Sequence, residues 1–294
     1  MGKIKGKTFF MLEIKEIKNI CSRNIDNIFE KLVKKGLIDP EASFFVKSKE
    51  CVFNGSFYYI HSLIEFLNFP KTNSDFFLYN SYLHAYTHFL DQSLDSLENS
   101  PSTKARSFQI STYLLLNYLK WLTKTYDSKT KIQFYNYYKD YSNYLIMEKK
   151  WEFPQYYVSK YGSSKNIYKK ALFPLFLLEL CKKDFLISKE VTSLKKLFIN
   201  YFSFALLADD LIDLDFDINH YCLTYPIAIY FKLRHKLPHN RADLNQLIPQ
   251  MVKTLQSFLR NVKQLEKNIG QHSVIIDEKI SKIKNELTKK EIEI

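Results

Sequence analysis

Glycine is the residue this chain can least spare. Six glycines serve 294 residues, about 2% where globular proteins average near 7%. Tight turns, phosphate-cradling loops and close backbone approaches draw on glycine, because no other residue takes positive φ at so little cost. Valine is scarce as well, with eight copies, so the Val-rich buried strands of a parallel sheet lack their material. A doubly wound nucleotide-binding domain is excluded on both counts. Proline also stands at eight, while Leu, Lys, Asn and Phe are plentiful. Few helix breakers and few β-branched valines predict an all-α protein.

Hydrophobic residues at 46% and charged residues at 25% exclude wholesale disorder. The 43 Lys+Arg outweigh 31 Asp+Glu, giving a net charge of +12, which favours anionic partners such as phosphates. The lysines are spread rather than gathered into one stripe and no recognition module is present, so no nucleic acid partner is expected. No apolar run reaches the roughly 18 residues that suggest a membrane span. The start of the chain has an apolar run of only four residues, Phe9–Leu12, and does not predict a secretory signal. Cys21, Cys51, Cys181 and Cys222 form no CxxC pair and read as reduced thiols of a cytoplasmic protein. Gly2, Gly6, Lys7 and Thr8 imitate a phosphate loop, but the spacing is one residue short and no strand can precede it.

Hydrophobic spacing predicts helices over 12–35, 56–68, Ser74 to about Leu97, from Ser102 or Thr103 to about Thr125, and 129–149. Further helices are predicted over 165–183, 188–214, 221–236, 241–268 and 272–291. The stretch 36–55, with Pro40 and Gly55, reads as a connector, and 151–164, with Pro154 and Gly162, as irregular. Three parts are expected: an N-terminal helical extension over 1–70, a helical-bundle domain over 71–270, and a charged C-terminal helix over 271–294. In the last, alternating charge reads as a solvated face.

Two acidic segments carry the chemistry. His84, His88, Asp91 and Asp95 recur at three- and four-residue steps and form one stripe of a helix. Their neighbours Tyr82, Leu83, Tyr86, Phe89, Leu90 and Leu94 make that helix apolar around its circumference, so it is buried and its carboxylates need partners. Asp209, Asp210, Asp213, Asp215 and Asp217 crowd five acids into nine residues behind a nearly apolar stretch. Asp209 and Asp213 share a helix face, and Asp210 lies about 100° round from Asp209. Acids near a helix C-terminus meet the negative end of the dipole. A divalent cation relieves such crowding, and oxygen-only ligands suit Mg²⁺. The EF-hand loop, the ExxH pairs of di-iron bundles and the HExxH zinc motif are all absent.

Asp91-Gln-Ser-Leu-Asp95 and Asp209-Asp210-Leu-Ile-Asp213 resemble the paired aspartate motifs of class I isoprenoid synthases. That superfamily comprises trans-prenyltransferases, squalene/phytoene synthases and class I terpene cyclases. The resemblance covers about residues 75–270. It implies an α-helical bundle with a deep apolar central cavity. It also implies Mg²⁺, three ions by the family pattern, held by Asp91, Asp95, Asp209, Asp210 and Asp213. The ions would clamp a prenyl diphosphate, whose ionisation leaves an allylic carbocation in a dry cavity. Phe89, Phe202 and Tyr86 are the aromatic candidates for facing the cation. Lys165, Lys169 and Arg106 are the candidates for the diphosphate.

The departures from the family pattern select among activities. The first motif is DQxxD rather than DDxxD, without the Arg-Arg-Gly that follows it in chain-elongating enzymes. The N-terminal Gly-Gly-Lys region of those enzymes is missing too, as are the Asn/Ser/Glu motif and late Arg-Tyr pair of common cyclases. A terpene cyclase acting on one prenyl diphosphate is the expected function. The alternatives are a transferase joining two prenyl diphosphates, head-to-tail or squalene/phytoene synthase-like, and a non-catalytic helical binding protein. The resemblance also admits a homodimer.

Overall fold

A computed structural model describes residues 14–67, 74–94, 100–149, 154–184, 188–220 and 222–294, and among these it contains helices and no strand. Asp95 and the glycine-lysine segment at residues 2–8 lie outside the described residues. Helix α1 (Ile14–Lys34) turns Ile17, Cys21, Ile25, Ile28 and Leu32 inward at helical spacing. The chain leaves it through Gly36 at φ 66°, the left-handed conformation that glycine takes at helix ends.

The expected connector is instead largely helix: α2 runs Ser43–Tyr59. A 3-10 turn, His61–Leu63, leads into α3 (Ile64–Leu67). Helices α4 (Ser74–Leu94) and α5 (Pro101–Thr125) pack along each other, and α1 and α2 lean on α4. The cap of α5 is Ser100, two residues before the earlier of the expected caps: its hydroxyl accepts the Thr103 N–H at 3.2 Å, and Pro101 fills the first turn. A Pro there sacrifices no hydrogen bond. Helix α6 (Ser128–Glu148) is capped by Asp127, which accepts the Thr130 N–H at 2.8 Å. Pro154 likewise opens α7 (Pro154–Tyr161) within the stretch expected to be irregular. A 3-10 segment, Ser164–Ala171, precedes α8 (Leu172–Asp184).

Helix α9 (Ser188–Ile212) is the axis of the bundle. It contacts α8, the 3-10 segment before it, α10 (Leu214–Asn219), α11 (Tyr225–Arg234), α12 (Ile248–Ile269) and α13 (Val274–Lys289). Leu197, Phe198, Tyr201, Phe202, Phe204, Leu207, Ala208 and Leu211 are all buried, so the helix is apolar around most of its girth, as a central helix must be. One core runs from Ile17 to Ile292, and a smaller one lies beneath α10 and α11 around Leu214, Leu223, Ile227 and Tyr230.

The two ends of the chain are tied together. Glu65 accepts the Val274 and Ile275 N–H groups at 3.1 and 3.2 Å and the Ser273 hydroxyl, capping α13 from across the sequence. Lys18 Nζ lies 3.3 Å from Glu278 Oε2, and the Tyr58 hydroxyl donates to Glu278 Oε1 at 3.0 Å. Cys21, Cys181 and Cys222 are buried cysteines and Cys51 is an exposed one, none of them in a disulfide. No described helix is long and apolar enough to cross a membrane.

Gly55 explains how a glycine sits inside α2. A Cβ built there would lie 2.0 Å from His84 Nε2 and 2.6 Å from its Cε1, so α4 approaches α2 by seating an imidazole over bare backbone. Gly→Ala in a helix interior normally stabilises by about 1 kcal/mol. Gly55→Ala is expected to destabilise by about 1–3 kcal/mol, the usual cost of overpacking. Urea denaturation checks this, and His84→Ala in the same chain should recover much of the loss.

Candidate functional site

The two acidic segments meet at one cavity of about 330 Å³. Helix α4 supplies Asp91 with His84 and His88, α9 and its end supply Asp209 and Asp213, and α10 supplies Asp217. Glu148 at the end of α6, Lys149 after it and Lys170 complete the charged wall. Asp91 is half-exposed and pairs with Lys149, Nζ to Oδ1 3.3 Å. A second, apolar pocket of about 80 Å³ adjoins, lined by Tyr59, Leu83, Phe173, Leu177 and Leu206 among others. His84, Thr87 and Lys170 line both spaces.

The adjacent aspartates of the second segment diverge, as their 100° separation requires. Asp209 faces the cavity. Asp210 turns inward, where Lys170 Nζ donates to its Oδ1 at 2.9 Å and the backbone N–H of Tyr225 donates to its Oδ2 at 3.2 Å. It therefore holds the first turn of α11. Lys170 also pairs with Glu148. The side-chain exposures are 19% for Lys170, 7% for Glu148 and 3% for Asp210, so this is a buried ion triad.

Other candidates lie away from the cavity. Lys165 is exposed and Lys169 half-buried, and neither lines the cavity; their neighbour Lys170 does. Arg106 is exposed on α5. Phe89 packs on Phe29 and Phe44, Phe202 on Tyr59 and Phe198, and Tyr86 on Tyr138 and Phe173, all in the core. The aromatic rings at the apolar pocket are those of Tyr59 and Phe173. Glu148, Lys149 and Asp217 were not singled out from sequence as cavity ligands. Asp217 carried a signal, its place in the acid run; Glu148 and Lys149 carried none.

Titration follows the geometry. Asp209 is open to cavity solvent, yet protein walls its carboxyl on most sides; this desolvation, then the Asp213 charge, pushes its pKa up to about 6. Burial also raises Asp213, with Lys290 opposing. Burial and then the Asp210 charge drive Asp217 well up. Burial raises Glu148, against Lys170 and Lys149. For Lys170, burial favours the neutral amine, but the Asp210 and Glu148 charges prevail and hold it charged. Burial keeps His84 and His88 neutral, with pKa values near 3 and 4.

Two expectations follow. A carboxyl whose folded pKa is raised stabilises most below its unfolded pKa and loses that contribution as pH rises through the folded value. Asp209→Asn should therefore gain stability at pH 7.5, by about 1 kcal/mol after solvent screening in the open cavity. The gain should vanish near pH 4, which urea melts at the two pH values will read. Lys170→Met strands two buried carboxylates and should cost about 3–5 kcal/mol, visible in the same melts.

Compared with family models, with curated proteins and with solved structures, the chain matches none.

Proposed function

We propose that this chain is a Mg²⁺-dependent terpene cyclase of the class I isoprenoid synthase type, ionising one linear prenyl diphosphate and cyclising the resulting cation. The observation that supports the reading is the convergence of Asp91, Asp209 and Asp213, from two distant aspartate motifs, on one cavity that adjoins an apolar pocket.

Among the described residues Asp91, Asp209 and Asp213 do not bring three ligand oxygens within 4.8 Å of one another, so it is the chemistry of the donors that supports the metal. Asp91, Asp209 and Asp213 offer hard carboxylate oxygens, and the mutual repulsion of Asp209 and Asp213 is what a divalent cation relieves. Mg²⁺ keeps several waters and is bound through one or two carboxylates plus substrate phosphates, so it needs no closed protein cage. Bound there, it would neutralise charge on the departing diphosphate. Lys149 and Lys170 bring two ammonium groups to the same wall and would share that charge. Asp210, engaged by Lys170 and the α11 amide, serves to orient Lys170. The rings of Tyr59 and Phe173 give the carbocation aromatic faces.

The apolar pocket, about 80 Å³, is below the roughly 300–1,000 Å³ of small-molecule sites. A prenyl chain therefore needs the pocket to widen toward the acidic cavity, with which it shares His84, Thr87 and Lys170.

A second reading is a helical binding protein whose ion cluster is structural. It is favoured by Lys149 and Lys170, which offset acids of the cavity without any metal.

Incubating the protein with Mg²⁺ and, separately, ten-, fifteen- and twenty-carbon prenyl diphosphates, with mass spectrometry of the extract, tests the proposal. A cyclic product from a single substrate is expected, and Asp213→Asn should abolish it while the circular dichroism is unchanged. A product formed only when two prenyl diphosphates are present would mark a transferase. No product, with a melting temperature indifferent to Mg²⁺ plus diphosphate, would favour the binding protein, since ligands of the native state raise stability by mass action.

A further inference from the structure

Metal-binding chemistry of another kind gathers at the corner between α12 and α13. The chain leaves α12 through Gly270 at φ 75° and reverses into α13 behind the capping Ser273. This reversal brings Glu266 of the last α12 turn, His272 of the loop and Asp277 of the first α13 turn together. His272 Nδ1 lies 3.4 Å from Glu266 Oε2, and its Nε2 lies 2.9 Å from Asp277 Oδ2. A ligand atom from each of the three falls within 4.8 Å of the other two. Glu266 is fixed in orientation, because its side chain is 4% exposed and its Oε1 accepts the Ser273 N–H at 3.1 Å.

Charge balance is a second, separate observation. Glu65, capping α13, is close enough to His272 for the two to interact electrostatically. Three carboxylates, Glu65, Glu266 and Asp277, thus surround one imidazole. The ammonium against them is Lys263, paired with Asp277 and 3.6 Å from Glu266 Oε2. Glu65 is met by the amides of α13, which leaves one lysine against two carboxylates, and that lysine lies between Glu266 and Asp277, where a metal ion would sit. Its side chain is 47% exposed, so its ammonium can move into water when a metal ion takes its place beside the buried Glu266. One imidazole with two carboxylates is a donor set for zinc with a water in the fourth position, whereas magnesium and calcium favour oxygen alone.

We propose that Glu266, His272 and Asp277 form a zinc site at the α12–α13 corner, with Lys263 standing in for the cation when zinc is absent. The site is independent of the acidic cavity and of the activity proposed for it.

Calorimetric titration of the metal-stripped full chain with zinc chloride tests this. One zinc per chain is expected, unaffected by millimolar-range Mg²⁺. His272→Ala should weaken binding by at least about tenfold, the loss typical even of an outer-shell partner. Lys263→Met should tighten it, because the competing ammonium is gone. Co²⁺ in place of Zn²⁺ should give the visible absorption of a four-coordinate site, absent in His272→Ala. Asp213→Asn, in the cavity, should leave the isotherm unchanged. Absence of zinc binding, or binding that survives both His272→Ala and Asp277→Asn, would overturn the site. Loss in Asp213→Asn alone would move the zinc to the cavity and overturn it too, and unchanged affinity in Lys263→Met would refute the stand-in role.

Discussion

The arrangement of the cavity depends on one ammonium group. Lys170 is held between Glu148 at the end of α6 and Asp210 of α9, and Asp210 in turn holds the first amide of α11. The backbone carbonyl of Glu148 also accepts the Leu223 N–H at 2.7 Å, just before that helix. A lone charge buried this deeply is untenable, and a pair left half-made is worse than none. The triad therefore tolerates little displacement, and it fixes four segments of chain relative to one another. Because Asp210 is committed to this task, the helix presents Asp209 and Asp213 on the face that meets Asp91.

That commitment shapes the electrostatics. The chain is strongly basic overall, yet its cavity wall carries Asp91, Glu148, Asp209, Asp213 and Asp217 against Lys149 and Lys170. Carboxyls that resist ionisation, as Asp209 does, are loaded for something positive. A proton satisfies them at low pH, and at neutral pH the proposed divalent ion would do so. The basic exterior meanwhile draws anions inward. The proposed ligand, a diphosphate carrying a metal ion, would satisfy both fields at once.

The helices were legible because their burial follows three- and four-residue spacing, and α9 most of all. The two misread stretches share a cause: the breaker was read without its partner. Gly55 looks like a turn until His84 is seen occupying the space of its missing side chain, and Pro154 looks like a break until it proves to be a first-turn residue. Within the acid run, spacing told that Asp209 and Asp210 diverge but not which of them turns inward, since that is decided by Lys170. Among the neighbouring lysines, an α-helical count misleads, because Ser164–Ala171 is a 3-10 segment with three residues per turn rather than 3.6. Phe89, Phe202 and Tyr86 offer aromatic faces in the sequence, whereas their rings pack on neighbouring rings in the core. Glu266 lies in the helix expected over 241–268 and Asp277 in the C-terminal helix that reads as a solvated face, so spacing along the sequence does not join them with His272.

The capping of α13 by Glu65 has a bearing on how the chain is made. Glu65 emerges from the ribosome more than two hundred residues before the amides it serves, and α9, on which so much of the bundle rests, begins only at Ser188. The early helices must therefore wait, with their apolar faces lacking the helix that covers them. Synthesis at about 5–20 residues per second makes that wait a matter of seconds to tens of seconds. During it the nascent chain is a client for whatever shields exposed hydrophobic surface in the cell.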